Sequence, residues 1–232
     1  MLLDSLKSAV LLMLSFDREL VEIVLVSLNV SLWSTLFASV IGLPAGFFIA
    51  FYRFRAKRLV MTCLNTLLAL PTVVIGLVVY SLITKRGVLG PLDLLYTQKA
   101  IIIGQIILIV PVITSLTIAA ISKIDKRYRS TALTLGANTR QMSWVIFREA
   151  RFGITAAIIA AFGRVIAEVG ISMMLGGNAK GFTRTMTTAM ALEYDKGEFV
   201  LAVALGIVLM AFAFTINLVF HFLQGRLNSD AV

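Results

Sequence analysis

The chain of 232 residues combines few charges with a large apolar content. Lys, Arg, Asp and Glu make up 14% of it, against about a quarter in soluble domains. Hydrophobic residues make up 59%, and the mean hydropathy is +0.95. A soluble globule would have to expose much of that apolar surface, so a soluble protein is excluded. The lone Cys63 and lone His221 exclude an intramolecular disulfide and leave no zinc ligand set.

Five apolar segments reach the roughly 20 residues that a spanning helix needs. Because backbone in hydrocarbon must satisfy its own hydrogen bonds, they are predicted to be helices of one all-α integral membrane domain, residues 1–232. Intramembrane Pro44, Pro71 and Pro111 favour packed helices that line a path over a passive anchor. The predicted spans are about 23–52, 59–84, 100–122, 152–178 and 199–224.

The first sixteen residues form a separate short apolar stretch. Its leucines and Val10 recur at helical spacing, while Asp4 and Lys7 lie off that stripe. This pattern is typical of an amphipathic helix in the membrane interface, and we expect one over residues 1–16. The predicted first span is long for the bilayer and contains Gly42 and Pro44, so a kink or a tilt is expected there.

The net charge of +9 would suggest nucleic acid in a soluble protein. Sorted by segment, however, it acts as an orientation signal. With five spans and the N-terminus outside, twelve Lys and Arg residues fall inside and eight outside, and the outer eight are balanced by acids. The sequence therefore predicts a cytoplasmic C-terminus and no nucleic-acid partner. The inner bases are Arg53, Arg55, Lys57, Arg58, Lys123, Lys126, Arg127, Arg129, Arg140, Arg148, Arg151 and Arg226.

The inner loop, residues 123–151, carries signals for two short helices. Asp125 is a predicted N-cap, and Gly136 is a predicted left-handed stop. Asn138 is a second predicted N-cap, with Gln141 three residues later in capping-box register. The pattern predicts a helix, a glycine turn and a second helix beneath the membrane, which is more than a positively charged loop needs for orientation alone.

The segment 130–137, followed by Ile146, resembles the cytoplasmic loop of ABC-importer permeases. Gly136, Ile146 and Ala132 match that family's signature, whereas Ser130, Thr131 and the pair 148–149 depart from it. The resemblance implies a type I importer fold and a coupling helix that seats on a cytoplasmic ATPase. The residues it implies for coupling are Ala132, Thr134, Leu135, Gly136, Ala137 and Ile146.

Further stretches are similar to oxyanion permeases. Segments 168–170 and 176–178 resemble a Glu-x-Gly and Gly-Asn pattern of molybdate and sulfate permeases, and 70–72 fits the same group. The run 183–193 is closer to tungstate permeases. The resemblance covers about residues 20–225, and it implies a tungstate importer, with a molybdate or sulfate permease as the alternative.

Arg164 and Glu168 lie four residues apart near the middle of the predicted fourth span. On a continuous helix they would share a face, and ionisable groups at this depth normally face the bundle interior or water. A structural ion pair and a border of the translocation path are both open interpretations. The candidate path or gate residues are Pro71, Arg164, Glu168, Gly176, Gly177, Asn178 and Arg184, with no catalytic or metal site.

The outer stretch 176–196 contains Lys180, Arg184 and four threonines. Such donors and bases suit a tetrahedral dianion, and they equally suit an ordinary external loop. Because the resemblance implies a separate binding protein for high affinity, we expect this stretch to dock and gate.

The sequence contains no Gly-Lys dipeptide and hence no P-loop, so ATP is expected only on partner subunits and no cofactor on this chain. The chain is therefore expected to be a transport subunit and not an enzyme. Five helices are few for an enclosed pore, which favours a homodimer. The resemblance implies two ATPase subunits and an extracytoplasmic binding protein at a prokaryotic inner membrane. A secondary transporter, the alternative of another class, should show paired internal repeats, and none is visible.

Overall fold

In the computed structural model, residues 17–52 and 54–229 are described, together with positions 7, 11, 14 and 15 before them. Side chains are described in these ranges except at 126, 129 and 219–229. The described residues form α-helices, one short 3-10 turn and connecting loops, and contain no strand. The helices are α1 (Arg18–Phe51), α2 (Lys57–Leu68), α3 (Thr72–Ile83), α4 (Gln98–Ser122), α5 (Lys126–Thr134), α6 (Thr139–Glu149), α7 (Arg151–Ile166), α8 (Gly170–Gly176), α9 (Met186–Lys196) and α10 (Phe199–Ser229). The all-α membrane fold is confirmed. The predicted interfacial helix over 1–16 falls largely outside the described residues.

Three helices are long and apolar enough to cross a membrane on their own, namely α1, α4 and α10. Two further spans are broken: α2 and α3 meet at 98°, and α7 and α8 meet at 58°. Counting each bent pair once gives up to five spans. The predicted spans over 59–84 and 152–178 therefore each contain a break, which the sequence did not indicate. Pro71 explains the first break, because the residue before a proline disfavours the α conformation.

Proline does not break every span. Pro44 and Pro111 both lie inside continuous helices, α1 and α4. Helix α1 begins at Arg18, earlier than predicted, because the Asp17 carboxylate accepts from the Glu19 and Leu20 backbone N–H groups at 2.9 and 3.1 Å. Its 34 residues correspond to a length of about 51 Å.

Helices α1 and α4 pack closely through small residues. A Cβ on Gly46 would lie 2.7 Å from the Thr117 Cβ and 2.8 Å from the Thr114 carbonyl oxygen. The buried Ser34 hydroxyl donates to the Gln105 side chain at 2.8 Å across the same contact. Small residues and interhelical hydrogen bonds of this kind hold membrane helices together where lipid removes the hydrophobic drive.

The two broken spans lie against this pair. Helix α7 packs on α1 and α4, and α8 packs on α3 and α4. Helix α9 turns back on α10, whose contacts with the rest of the chain are fewer. Polar residues are concentrated in two parts of the bundle, the inner loop (residues 123–151) and the outer segment (residues 176–196).

Candidate functional site

The inner loop has the local structure that its capping residues predict. The Asp125 carboxylate accepts from the Arg127 backbone N–H at 2.9 Å. The Asn138 side chain accepts from Gln141 N, and the Gln141 side chain accepts from Asn138 N, both at 2.9 Å. This capping box confirms the predicted start of α6.

Gly136 turns the chain between α5 and α6. Its φ is +77°, in the left-handed region that favours glycine. The Gly136 N–H donates to the Leu133 carbonyl at 3.0 Å, and the Ala137 N–H donates to the Ala132 carbonyl at 2.9 Å. These two bonds form a Schellman motif that satisfies carbonyls at the end of α5.

The residues that the resemblance implies for coupling divide into buried and exposed groups. Ala132 and Ile146 are buried in one cluster with Met142, so they hold α5 against α6. Leu135 instead exposes 81% of its surface. Thr134 is also exposed, with its hydroxyl bonded to the Thr131 carbonyl at 2.9 Å. The buried half fixes the shape of the loop, and the exposed half is free to meet a partner.

Tyr128, near the start of α5, is linked to Glu149, at the end of α6. The Tyr128 hydroxyl donates to a Glu149 carboxylate oxygen at 3.1 Å. The hydrogen bond to this carboxylate, together with its negative charge, raises the pKa of Tyr128 above 10.0. The phenol therefore remains protonated, and able to donate to Glu149, throughout the physiological range.

The breaks of the two bent spans lie next to each other. A Cβ on Gly170, at the start of α8, would lie 3.1 Å from the Thr72 hydroxyl oxygen at the start of α3. A Cβ on Gly76 would lie 2.8 Å from the Met174 sulfur. Pro71 is the N-cap residue of α3 and lies beside this contact. The second halves of both broken spans thus pack together.

Arg164 and Glu168 do not share a helix face as expected, because α7 ends at Ile166. Glu168 is buried in the break, and its carboxylate accepts from the Ile171 backbone N–H at 3.1 Å. Arg164 is exposed on α7 and makes no ion pair or hydrogen bond with the described residues. The self-neutralising pair is therefore absent between these two described side chains. Their role in the path remains a prediction.

The outer segment, residues 176–196, is closely bonded within the chain. Thr183 donates to the Gly176 carbonyl at 2.6 Å, and Thr187 donates to the Glu168 carbonyl at 2.7 Å. Thr185 and Thr188 form the capping box of α9. All four buried threonine hydroxyls are engaged locally, so they are not free donors for an anion.

Two of the three bases of the outer segment, Lys180 and Arg184, are paired with the start of α1, and the third, Lys196, pairs with Glu193. Glu19 accepts from the Lys180 ammonium at 2.7 Å and from Arg184 Nη1 at 3.3 Å. Only 11% of the Arg184 side chain is exposed. The Ser27 hydroxyl of α1 also accepts from the Met186 backbone N–H at 2.6 Å. The segment is thereby held to α1 by charge and by hydrogen bonds.

The glycines of the Gly-Gly-Asn stretch allow close packing. A Cβ on Gly176 would lie 2.6 Å from the Ile101 Cδ1, and one on Gly177 would lie 2.6 Å from the Tyr96 ring. Gly177 and Asn178 both have positive φ, +66° and +52°. The Asn178 amide donates to the Thr188 carbonyl at 3.4 Å. These residues shape the turn after α8.

Sequence reasoning missed Glu19 and Ser27, which hold the outer segment. Their partners lie more than 150 positions away, at Lys180, Arg184 and Met186. One signal was present, since Glu19 and Glu22 are acids immediately before the first apolar run. Pairing across such a separation is fixed by the tertiary fold, not by local spacing.

The described residues form up to five apolar spans, with a two-helix loop between α4 and α7. Residues 42–230 match the family model described as "Binding-protein-dependent transport system inner membrane component". The chain belongs to this family of membrane transport subunits.

Individual members of the family are similar to this chain over most of its length. The chain is 37% identical over 221 residues to the tungstate uptake system permease protein TupB of Peptoclostridium acidaminophilum, covering 95% of this chain and 97% of that protein. It is also 37% identical to TupB of Campylobacter jejuni, covering 95% and 92%. Its fold is similar to an inward-facing structure of the MetNI methionine ABC transporter, with a TM-score of 0.73 and 20% identity over 90% of this chain and 96% of that one.

Proposed function

We propose that this chain is the membrane-spanning subunit of an ATP-driven importer that moves tungstate into the cytoplasm. The observation that carries the proposal is the inner loop, whose buried Ala132 and Ile146 hold a rigid helix pair and whose exposed Leu135 faces away from it. The 37% identity to tungstate permeases supports the substrate. The chain itself is a transport subunit, and partner subunits hydrolyse ATP.

The inner loop transmits the work of those subunits. The second helix of the loop, α6, continues directly into α7, because Ala150 is both the C-cap residue of α6 and the N-cap residue of α7. A movement of an ATPase against Leu135 would therefore tilt the loop and α7 together. Helix α7 leads to the break at Glu168, next to the break at Pro71. We propose that this movement opens and closes the path at the two adjacent breaks.

We expect the outer segment to accept the anion from a binding protein and not to bind it tightly. Its threonines and bases are already bonded, so the segment has few free donors for an anion. High affinity then belongs to an extracytoplasmic binding protein. We expect that protein to dock on the surface formed by the outer segment and the start of α1, where Glu19 pairs with Lys180 and Arg184. Gly176, Gly177, Asn178 and Arg184 shape this surface.

A second copy of the chain completes the path. Up to five spans enclose little space on their own, so we propose a homodimer with the path on its two-fold axis. The excess of inner Lys and Arg supports an outside N-terminus and a cytoplasmic C-terminus. Two ATPase subunits would then bind the two inner loops.

Uptake by the reconstituted complex tests the substrate. Proteoliposomes that contain this chain, its ATPase and its binding protein should accumulate tungstate with ATP inside and should not do so without it. Excess sulfate should compete weakly. Preferential uptake of sulfate or molybdate would contradict the assignment, and accumulation driven by an ion gradient without ATP would indicate a secondary transporter.

A further inference from the structure

The first half of the first broken span, α2, carries more polar surface than a lipid-facing helix needs. Residues on one side of it are half-buried and pack toward α4. Successive residues on a helix are separated by about 100°, so the exposed residues fall on two further arcs. The buried side contains Lys57, Val60, Met61 and Leu64. The apolar arc contains Leu59, Cys63 and Leu67, and the polar arc contains Arg58, Thr62, Asn65 and Thr66.

Asn65 is the uncharged side chain on the polar arc whose donors are unused among the described residues. The Thr62 and Thr66 hydroxyls donate to the Arg58 and Thr62 carbonyls, at 3.0 and 2.9 Å. The exposed Asn65 amide bonds to nothing else in the part of the chain that the structure describes. An amide without a partner is costly in hydrocarbon, so this side chain requires water or another polar group.

Helix α7, the first half of the other broken span, has a comparable bare face. Ala160, Gly163 and Arg164 are exposed there. A Cβ on Gly163 would meet no atom within 4 Å. Small residues around a lone arginine do not resemble a surface that meets lipid, whereas α10 exposes large apolar side chains such as Met210 and Phe214.

The two helices lead into neighbouring breaks. Helices α2 and α7 both approach the adjacent breaks, and their continuations α3 and α8 pack on one another. We propose that Asn65 lines the cytoplasmic half of the oxyanion path together with Arg164. Its amide N–H groups replace water on the dianion below the breaks, where Arg164 supplies positive charge. This inference rests on the proposed function.

Thiol labelling tests whether Asn65 faces water. Cys63 is the single cysteine of the chain, so Cys63→Ala gives a background without thiols. In that background, Asn65→Cys in the reconstituted complex should react with a membrane-impermeant cationic thiol reagent at least ten times faster than Met210→Cys. Equal rates would overturn the proposal. A disulfide between two copies of Asn65→Cys without labelling would also overturn it, because Asn65 would then be a contact between subunits.

A pair of charged variants tests whether the position faces the anion. Asn65→Asp and Asn65→Lys introduce charges of opposite sign at the same depth. At equal membrane abundance, Asn65→Asp should lower tungstate uptake at least tenfold more than Asn65→Lys, because it repels the dianion. Equal uptake would contradict a place on the path. Tungstate uptake by the unaltered complex is measured in the same vesicles, and its absence would refute the proposed function itself.

Discussion

The inner loop and the outer segment have similar compositions but opposite structures. Both connect spans, and both carry bases and hydroxyls. In the outer segment, Lys180 and Arg184 pair with Glu19, and the threonines bond within the chain. In the inner loop, the exposed Arg140 and Arg148 form no ion pair with the described residues, and Leu135 and Trp144 are largely exposed.

This difference shows that composition alone does not mark a binding surface. What matters is whether polar and apolar groups already have partners inside the chain. The outer segment bonds its threonines and its bases within the chain, although Asn178 Oδ1 and Arg184 Nε are buried without a partner among the described residues. The inner loop satisfies its backbone through caps and keeps Leu135, Arg140, Trp144 and Arg148 exposed, as a surface for another protein requires.

The largest effect is expected from Leu135→Asp. A charge in place of an exposed apolar anchor should weaken ATPase binding by at least about tenfold while the permease still folds. The matched control is Val88→Asp, since Val88 is similarly exposed, at 85%, in the connection between α3 and α4. Co-purification of the ATPase with each variant measures the effect. Equal ATPase recovery from both variants would remove Leu135 from the contact.

Gly136→Val should uncouple ATP hydrolysis from transport. A β-branched residue at φ +77° is strained by about 1–3 kcal/mol, although an added Cβ meets no neighbour within 4 Å. The turn would shift, and with it the exposed end of α5. Uptake per ATP hydrolysed should fall severalfold, whereas Gly136→Asn should retain most coupling because Asn tolerates this conformation. Full coupling in Gly136→Val would show that the turn geometry is dispensable.

Glu19→Gln tests whether the ion pairs of Glu19 hold the outer segment to α1. Loss of the carboxylate leaves the nearly buried Arg184 without its charged partner, and we expect the free energy of unfolding to fall by about 1–2 kcal/mol. Arg18→Gln, which breaks the exposed pair with Glu22, should lower it by less than about 0.5 kcal/mol. Equilibrium unfolding in detergent micelles compares the two. Equal losses would mean that the Glu19 cluster does not hold the segment.

The smallest effect is expected from Tyr128→Phe. The Glu149 carboxylate raises the pKa of this phenol, so any stability from the link is fully present below pH 10.0 and is lost only at higher pH. Because the link lies at an exposed surface, uptake should stay within about twofold of the unaltered complex between pH 6 and 8. A pronounced loss would show that contacts inside the inner loop matter as much as its exposed face.

Local signals were sufficient to predict the inner loop. Asp125, Gly136, Asn138 and Gln141 each act over three or four residues, and each has the predicted conformation. The spans were found by apolar length, but their breaks were not. A run without charges fixes the membrane location of a segment, whereas its path through the bilayer depends on packing against neighbours such as α4.

The outer site could not be predicted for the same reason. Threonines 183, 185, 187 and 188 suggested free donors, but Thr183 and Thr187 donate to the Gly176 and Glu168 carbonyls, and Thr185 and Thr188 bond to each other in the capping box of α9. The helix end at Ile166 likewise separates Arg164 from Glu168, although their spacing suggested a pair. The pairing of Lys180 and Arg184 with Glu19 likewise spans more than 150 positions, and no short pattern encodes it.

ATPase activity of the complete complex tests the central claim most directly. The account predicts that ATP hydrolysis in proteoliposomes rises severalfold when tungstate-loaded binding protein is added outside, and that Leu135→Asp abolishes the rise. Hydrolysis that does not respond to the loaded binding protein, or that responds equally in Leu135→Asp, would contradict it.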